Sequence, residues 1–209
     1  MIKMRTVGTT ALATLIALGL STPALAKGDI TLNDTFPLAN NGTLHLDIPV
    51  GEIELTTHDS NEISVEVRVK PQNNGWFSDE DVSEAKFKHR QEDGHVYLEI
   101  DQEKSVQEWI IAIPKNASID LDVGVGEVNL DDVNANVFVD VGVGEVDVEL
   151  TDNNYAMIHL DTGVGDVDLD GFKNAKWDKG MVSGSVRWNG DGEHKINIDV
   201  GVGEIEVDH

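Results

Sequence analysis

Four stretches of this chain are near copies of one another: Leu121-Asp-Val-Gly-Val-Gly-Glu-Val-Asn-Leu130, Val139-Asp-Val-Gly-Val-Gly-Glu-Val-Asp-Val148, Leu160-Asp-Thr-Gly-Val-Gly-Asp-Val-Asp-Leu169 and Ile198-Asp-Val-Gly-Val-Gly-Glu-Ile-Glu-Val207. A degenerate copy, Met181-Val-Ser-Gly-Ser-Val-Arg-Trp188, falls between the last two, and an earlier one runs Leu46-Asp-Ile-Pro-Val-Gly-Glu-Ile-Glu-Leu55. The second glycines of the copies from 121 onward lie at 126, 144, 165, 184 and 203, in steps of 18, 21, 19 and 19. A repeat of that length is one supersecondary unit that buries its apolar side only by stacking on its neighbours.

Alternation of period two assigns the faces within each unit. Ile119, Leu121, Val123 and Val125 share an apolar face, and Asp120, Asp122 and Gly124 the other. Past Gly126-Glu127 the parity slips by one, so Val128 and Leu130 become the apolar pair. Such a slip needs a corner or bulge, which glycine accommodates. The template repeats at Val137, Val139, Val141, Val143 then Val146, Val148, at Ile158, Leu160, Val164 then Val167, Leu169, and at Ile196, Ile198, Val200, Val202 then Ile205, Val207. The predicted fold is all-β, a β-solenoid of roughly 19-residue coils, each a strand, a Gly-acid corner, a second strand and a loop.

The chain begins with a pattern of a different kind. Lys3 and Arg5 precede an apolar stretch from Val7 to Leu20 and an A-x-A site ending at Ala26, which together predict a signal peptide over 1–26 cut after Ala26. Residues 27–209 then form one domain, irregular in its β structure over 27–114 and regular over 115–209. In the irregular part 63–70 alternates as a strand. Residues 85–90 and 96–101 flank a turn at Glu92-Asp93-Gly94, and 109–114 is a strand ended by Pro114. Residues 71–84 read as a long loop carrying Trp76 and Phe77, with a short helix start near Ser78 as an option. No segment after the leader is long and apolar enough to span a membrane as a helix, so the expected location is periplasmic or secreted.

Composition narrows the function. Asp and Glu number 39 against 15 Lys and Arg, for a net charge of −24. A surface that negative repels nucleic-acid phosphates and anionic lipid. The absence of Cys excludes disulfides, thiol nucleophiles and Cys-ligated metals. At 5% aromatic residues, the core must be built from small aliphatics.

A hydrophobic strand ending in Ile113-Pro114, followed by β alternation into corners at Gly126-Glu127-Val128, Gly144-Glu145-Val146, Gly165-Asp166-Val167 and Gly203-Glu204-Ile205, resembles the bacterial putative-adhesin family, a β-solenoid domain of unknown function. The likeness covers about Leu44 to His209. It implies an exported β-solenoid, in some members an accessory of envelope-stress systems, and carries over no catalytic residues. This chain departs from the family pattern in having Val125, Val143, Val164 and Val202 where serine is frequent, and in its acidity.

Stacking in register would place Glu127, Glu145 and Asp166 in one column and Asp122, Asp140 and Asp161 in another, with neighbours about 5 Å apart. Such a ladder is either a solvated, aggregation-resisting face or a site for a hard cation such as Ca²⁺. The repeats lack the Gly-Gly-x-Gly-x-Asp calcium nonapeptide, and Arg187 of the degenerate copy is expected between Asp168 and Glu206, relieving the charge without metal. Trp76 and Phe77 are candidates for a binding loop or for an end cap. Trp177 and Trp188 are candidates for a sugar-stacking pair or for core filling. No His spacing or nucleophile motif points to catalysis. The expected function is therefore a non-enzymatic envelope-binding or scaffold protein without a cofactor. The alternatives are a divalent-cation-binding surface and a carbohydrate-active enzyme using a carboxylate pair.

Overall fold

The computed structural model describes residues 28–39, 41–72, 81–102 and 104–209, and every regular element among them is a strand. In chain order these are β1 (Ile30–Pro37), β2 (Thr43–His58), β3 (Glu62–Pro71), β4 (Phe87–Glu92), β5 (His95–Ile100), β6 (Ser105–Pro114), β7 (Ser118–Val133), β8 (Val137–Leu150), β9 (Tyr155–Leu169), β10 (Lys176–Lys179), β11 (Gly184–Asn189) and β12 (His194–Asp208). All join one mixed sheet in the order β1-β3-β6-β2-β7-β8-β12-β9-β11-β10, with β5 on β2 and β4 on β5. The expected signal peptide and the loop tip bearing Trp76, Phe77 and Ser78 lie outside the described residues.

The motif builds the long strands β2, β7, β8, β9 and β12. In β7, Ile119, Leu121 and Val123 are buried before the glycines and Val128, Leu130 and Val133 after them, and all belong to a single hydrophobic cluster. Each long strand is therefore creased at its Gly-Val-Gly, or Pro-Val-Gly in β2, and both arms turn their apolar sides to one core. The first arms pair laterally in the order β4-β5-β2-β7-β8-β12-β9-β11-β10. The second arms pair in the order β1-β3-β6-β2-β7-β8-β12-β9. The motif strands are mutually parallel, and their crease glycines stack in columns. A Cβ on Gly126 would lie 1.7 Å from the Gly51 carbonyl oxygen, on Gly144 1.7 Å from that of Gly126, on Gly203 1.6 Å from that of Gly144, and on Gly165 1.6 Å from that of Gly203. Only glycine permits this approach of neighbouring creases. The first glycines stack more loosely, with Gly124 at 2.5 Å from the Pro49 oxygen.

The core is mostly aliphatic, with Phe36, Trp109, Tyr155 and Phe172 as its aromatic members. Trp109 Nε1 donates to Gln107 Oε1 at 3.0 Å, Gln107 Nε2 to Ser105 Oγ at 3.2 Å, and Ser105 Oγ to the Gln102 carbonyl at 2.7 Å. Thr162 takes the inward position held by valine in the neighbouring strands, and its Oγ1 accepts from the Gly184 N–H at 3.0 Å. The hydroxyl of fully buried Tyr155 donates to the Val133 carbonyl at 3.1 Å, and burial holds its pKa far above the usual phenol value.

Three expectations are corrected. Val125, Val143, Val164 and Val202 are not core residues; each is 47–48% exposed, because the parity slip begins at the first glycine and leaves the central valine on the outside. The coils do not stack in chain order: the step from β7 to β8 is sequential, but β12 inserts between β8 and β9. The degenerate copy makes no coil. It contributes β11, antiparallel to the first arm of β9, so Arg187 lies opposite His159, and Glu206 faces Asp168 with no cation between them.

Candidate functional site

Outward positions on creased, in-register strands form straight ranks, with side chains about 4.8 Å apart from strand to strand. On the first arms one rank runs Asp47, Asp122, Asp140, Asp199, Asp161. Just beyond the crease another runs Glu52, Glu127, Glu145, Glu204, Asp166, and a third runs Glu54, Asn129, Asp147, Glu206, Asp168. The sequence-predicted residues Asp122, Asp140 and Asp161, and likewise Glu127, Glu145 and Asp166, thus share ranks as expected. The inserted strand places Asp199 between Asp140 and Asp161, and Glu204 between Glu145 and Asp166.

Like charges at this spacing repel by about 0.8 kcal/mol in water and about 3 kcal/mol at an effective dielectric of 20. Three carboxylates of these ranks have raised pKa values, and at two of them burial comes before charge as the cause. Burial, then Asp122 and Glu99, push the Asp47 pKa above the ordinary carboxylate value. Burial, then Glu145 and Glu127, do the same to Asp147, and Asp208 is the main cause at Glu206. Among the described residues no group of three or more His, Asp or Glu side chains has the arrangement of a metal site.

The crease itself forms a trough of about 710 Å³ across five strands. Its floor is the glycine column Gly51, Gly126, Gly144, Gly203, Gly165. One wall is the carboxylate rank from Glu52 to Asp166, the other holds Val50, Val125 and Val143, and Val106 and Glu108 of the flanking β6 complete the lining. Register continues the valine line beyond the trough through Val202 to Val164.

A second site, in a cleft of about 420 Å³ where β4 and β5 meet β2, escaped sequence reasoning. His45 Nδ1 lies 2.8 Å from Asp120 Oδ2, and His45 Nε2 lies 2.9 Å from His95 Nδ1. With Asp120 ionised and His45 neutral, His45 donates through Nδ1 and accepts through Nε2, and His95 then donates through Nδ1. The rings of His45 and Tyr97 stack at 4.3 Å, and Arg90 covers the other face of Tyr97 at 3.8 Å. Both faces of Tyr97 are therefore occupied within the protein. The only signal for this cluster was the earlier motif copy, whose alignment with β7 sets His45 opposite Asp120.

Trp177 and Trp188 do not make a sugar platform. Trp188 packs edge-on to Phe172 at 4.9 Å, donates to the Lys173 carbonyl at 3.1 Å and leans on the core, whereas Trp177 is 42% exposed with Lys179 above its ring. Core filling holds for Trp188 alone.

The family model described as the N-terminal domain of toast_rack, DUF2154, matches residues 23–170. Among solved structures, the fold is similar to that of a putative cell adhesion protein from Clostridium sporogenes ATCC 15579. The two are 19% identical, with a TM-score of 0.52 over 86% of this chain and 99% of that one. A putative adhesin from Bacteroides fragilis NCTC 9343 is 16% identical over 87% of this chain and 98% of that chain, at a TM-score of 0.34, too low to support an argument. A search of curated proteins finds no match.

Proposed function

This chain belongs to the family of the toast_rack N-terminal domain, DUF2154, and from that premise we propose that it is an exported, non-enzymatic, adhesin-like protein that binds a component of the cell envelope through its ranked outer surface. The observation that carries this reading is the division of labour within the motif. Every inward position serves a continuous core, while the outward positions repeat one chemistry at strand spacing across a broad face. A regular face of that kind suits a partner contacted at many points, each weak alone and additive together. The solenoid-like reading of the motif strands, the signal peptide over 1–26 and an accessory role in envelope stress belong to the same proposal. The shared fold with the Clostridium protein, described as a putative cell adhesion protein, supports the same reading.

The test is retention of the purified protein on isolated envelope material, compared with a protein of similar size and charge but without the ranks. Specific retention that weakens as salt rises is expected. Equal recovery of both proteins in the unbound fraction overturns the proposal.

A further inference from the structure

The crease trough has a chemistry distinct from the rest of the acidic surface. Val125 and Val143 of its wall, and Val202 and Val164 that follow them in register on adjacent strands, all stand 47–48% exposed. A lone surface valine needs no explanation, but a continuous apolar line rimmed by charge marks an interaction surface. The line is prolonged beyond Val164 by the β10–β11 turn, where Met181 is fully exposed, Val182 is 63% exposed, and the Gly165 N–H donates to the Val182 carbonyl at 2.8 Å.

Along β7, β8, β12 and β9 the carboxylates of the opposite wall make no ion pair among the described residues, whereas Glu108 on the β6 side of the lining pairs with Lys70 and Arg68. The ion pairs among the described residues involve Asp29, Asp59, Glu92, Glu99, Asp101, Glu108 and Asp120, and none involves Glu127, Glu145, Glu204 or Asp166. Between the walls the floor is glycine, so no side chain holds an occupant away from the backbone.

We propose that this trough seats an extended basic segment of a partner protein, with aliphatic side chains on the valine wall and lysine or arginine side chains on the carboxylate wall. The proposal rests on the reading that the protein works by binding, and it names the partner chemistry. Length fits: five ranks span about 19 Å, which an extended chain covers in about six residues. Charge selects the class of partner. Nucleic acid and anionic lipid are repelled, and a second copy would set one carboxylate wall against another.

The test uses synthetic hexapeptides with the purified protein, followed by calorimetry and by NMR of valine methyl groups. Alternating Lys-Val is expected to bind and to shift the methyls of Val125, Val143 and Val202. Alternating Lys-Ser should bind at least several-fold more weakly, and alternating Glu-Val not at all. The triple variant Glu127→Gln, Glu145→Gln, Glu204→Gln should weaken Lys-Val binding roughly tenfold, and Val143→Ser with Val202→Ser should erase the preference over Lys-Ser. These positions are exposed, so the variants are expected to fold, which circular dichroism checks.

Equal affinity for the Lys-Val and Lys-Ser peptides, shifts centred on the Asp122 and Asp140 rank, no binding, or self-association through the valines would each overturn the proposal. Envelope retention that survives in the valine variants would sink the trough while leaving the envelope reading intact. Peptide binding without any envelope retention would do the reverse.

Discussion

Substituting three consecutive residues of β7 tests whether close approach, and not burial or chain flexibility, sets the demands at the crease. Gly126→Ala places a methyl group 1.7 Å from the Gly51 carbonyl oxygen, more than 1 Å inside any ordinary contact. Relief requires β2 and β7 to separate at the crease, which breaks about three ladder hydrogen bonds. At about 1–1.5 kcal/mol each, the cost is about 3–5 kcal/mol, a large part of the roughly 5–15 kcal/mol by which domains are stable. For a chain of this size that is a fall of about 10 °C in Tm. Gly124→Ala meets the Pro49 oxygen at 2.5 Å and should cost less, about half as much. Val125→Ala, between the two but exposed, should move Tm by no more than about 1–2 °C. Thermal and urea unfolding of the three variants, read by circular dichroism, gives the order 126, 124, 125. A Gly126→Ala protein that melts with the parent, or a Val125→Ala protein that loses more than either glycine variant, would refute the stacked-crease account.

Other outcomes follow from the polar core and the charge ranks. Thr162→Val keeps the shape but leaves the buried Gly184 N–H without its side-chain acceptor, for a loss of about 1–3 kcal/mol in urea unfolding, and Thr162→Ser should recover most of it. The folded-state pKa values of Asp47, Asp147 and Glu206 are raised, so the native state holds protons more readily than the unfolded chain. Stability should therefore rise as pH falls from neutral through those raised values, and level off once both states are protonated. Tm measured at low salt from neutral pH down to the ordinary carboxylate values, 3.8 for Asp and 4.5 for Glu, checks the sign, and a steady decline from the first step would contradict it. Asp147→Asn should raise Tm at neutral pH and flatten the dependence. A chain ending at Glu193, lacking β12, should melt well below the parent and lose protection of the β9-β11-β10 amides to hydrogen exchange first, because those strands then have no ladder to the rest of the sheet.

Much of this architecture is written in the residues. Alternation locates the arms of the motif strands, the glycines mark the creases, and the Glu-Asp-Gly turn locates the β4–β5 hairpin. The order of the strands is far less legible, because β7, β8, β9 and β12 carry almost the same ten residues and any one could pair with any other. Two local facts decide it. The step from Gly144 to Gly165 is 21 residues where that from Gly126 to Gly144 is 18, and the longer passage carries β9 past the place β12 fills. The β10–β11 hairpin covers the other flank of β9. The exposure of the central valines was hidden for a related reason: a two-residue alternation cannot say on which side of a crease the parity changes. The His45–His95–Asp120 cluster draws on three strands far apart in sequence, and no spacing within the chain announces it.

The insertion of β12 also sets a schedule. Its two neighbours lie 38 and 59 residues upstream, as the contacts of Asn197 with His159 and of Lys195 with Asn136 record. Until β12 pairs, no backbone ladder joins β9-β11-β10 to the rest of the sheet, and a gap one strand wide separates β8 from β9. Closing pairings that distant is slow, because loop entropy must be overcome before the contacts form. A chain emerging amino end first therefore keeps this gap until β12 follows β11, and the open edges of β8 and β9 wait for the same strand.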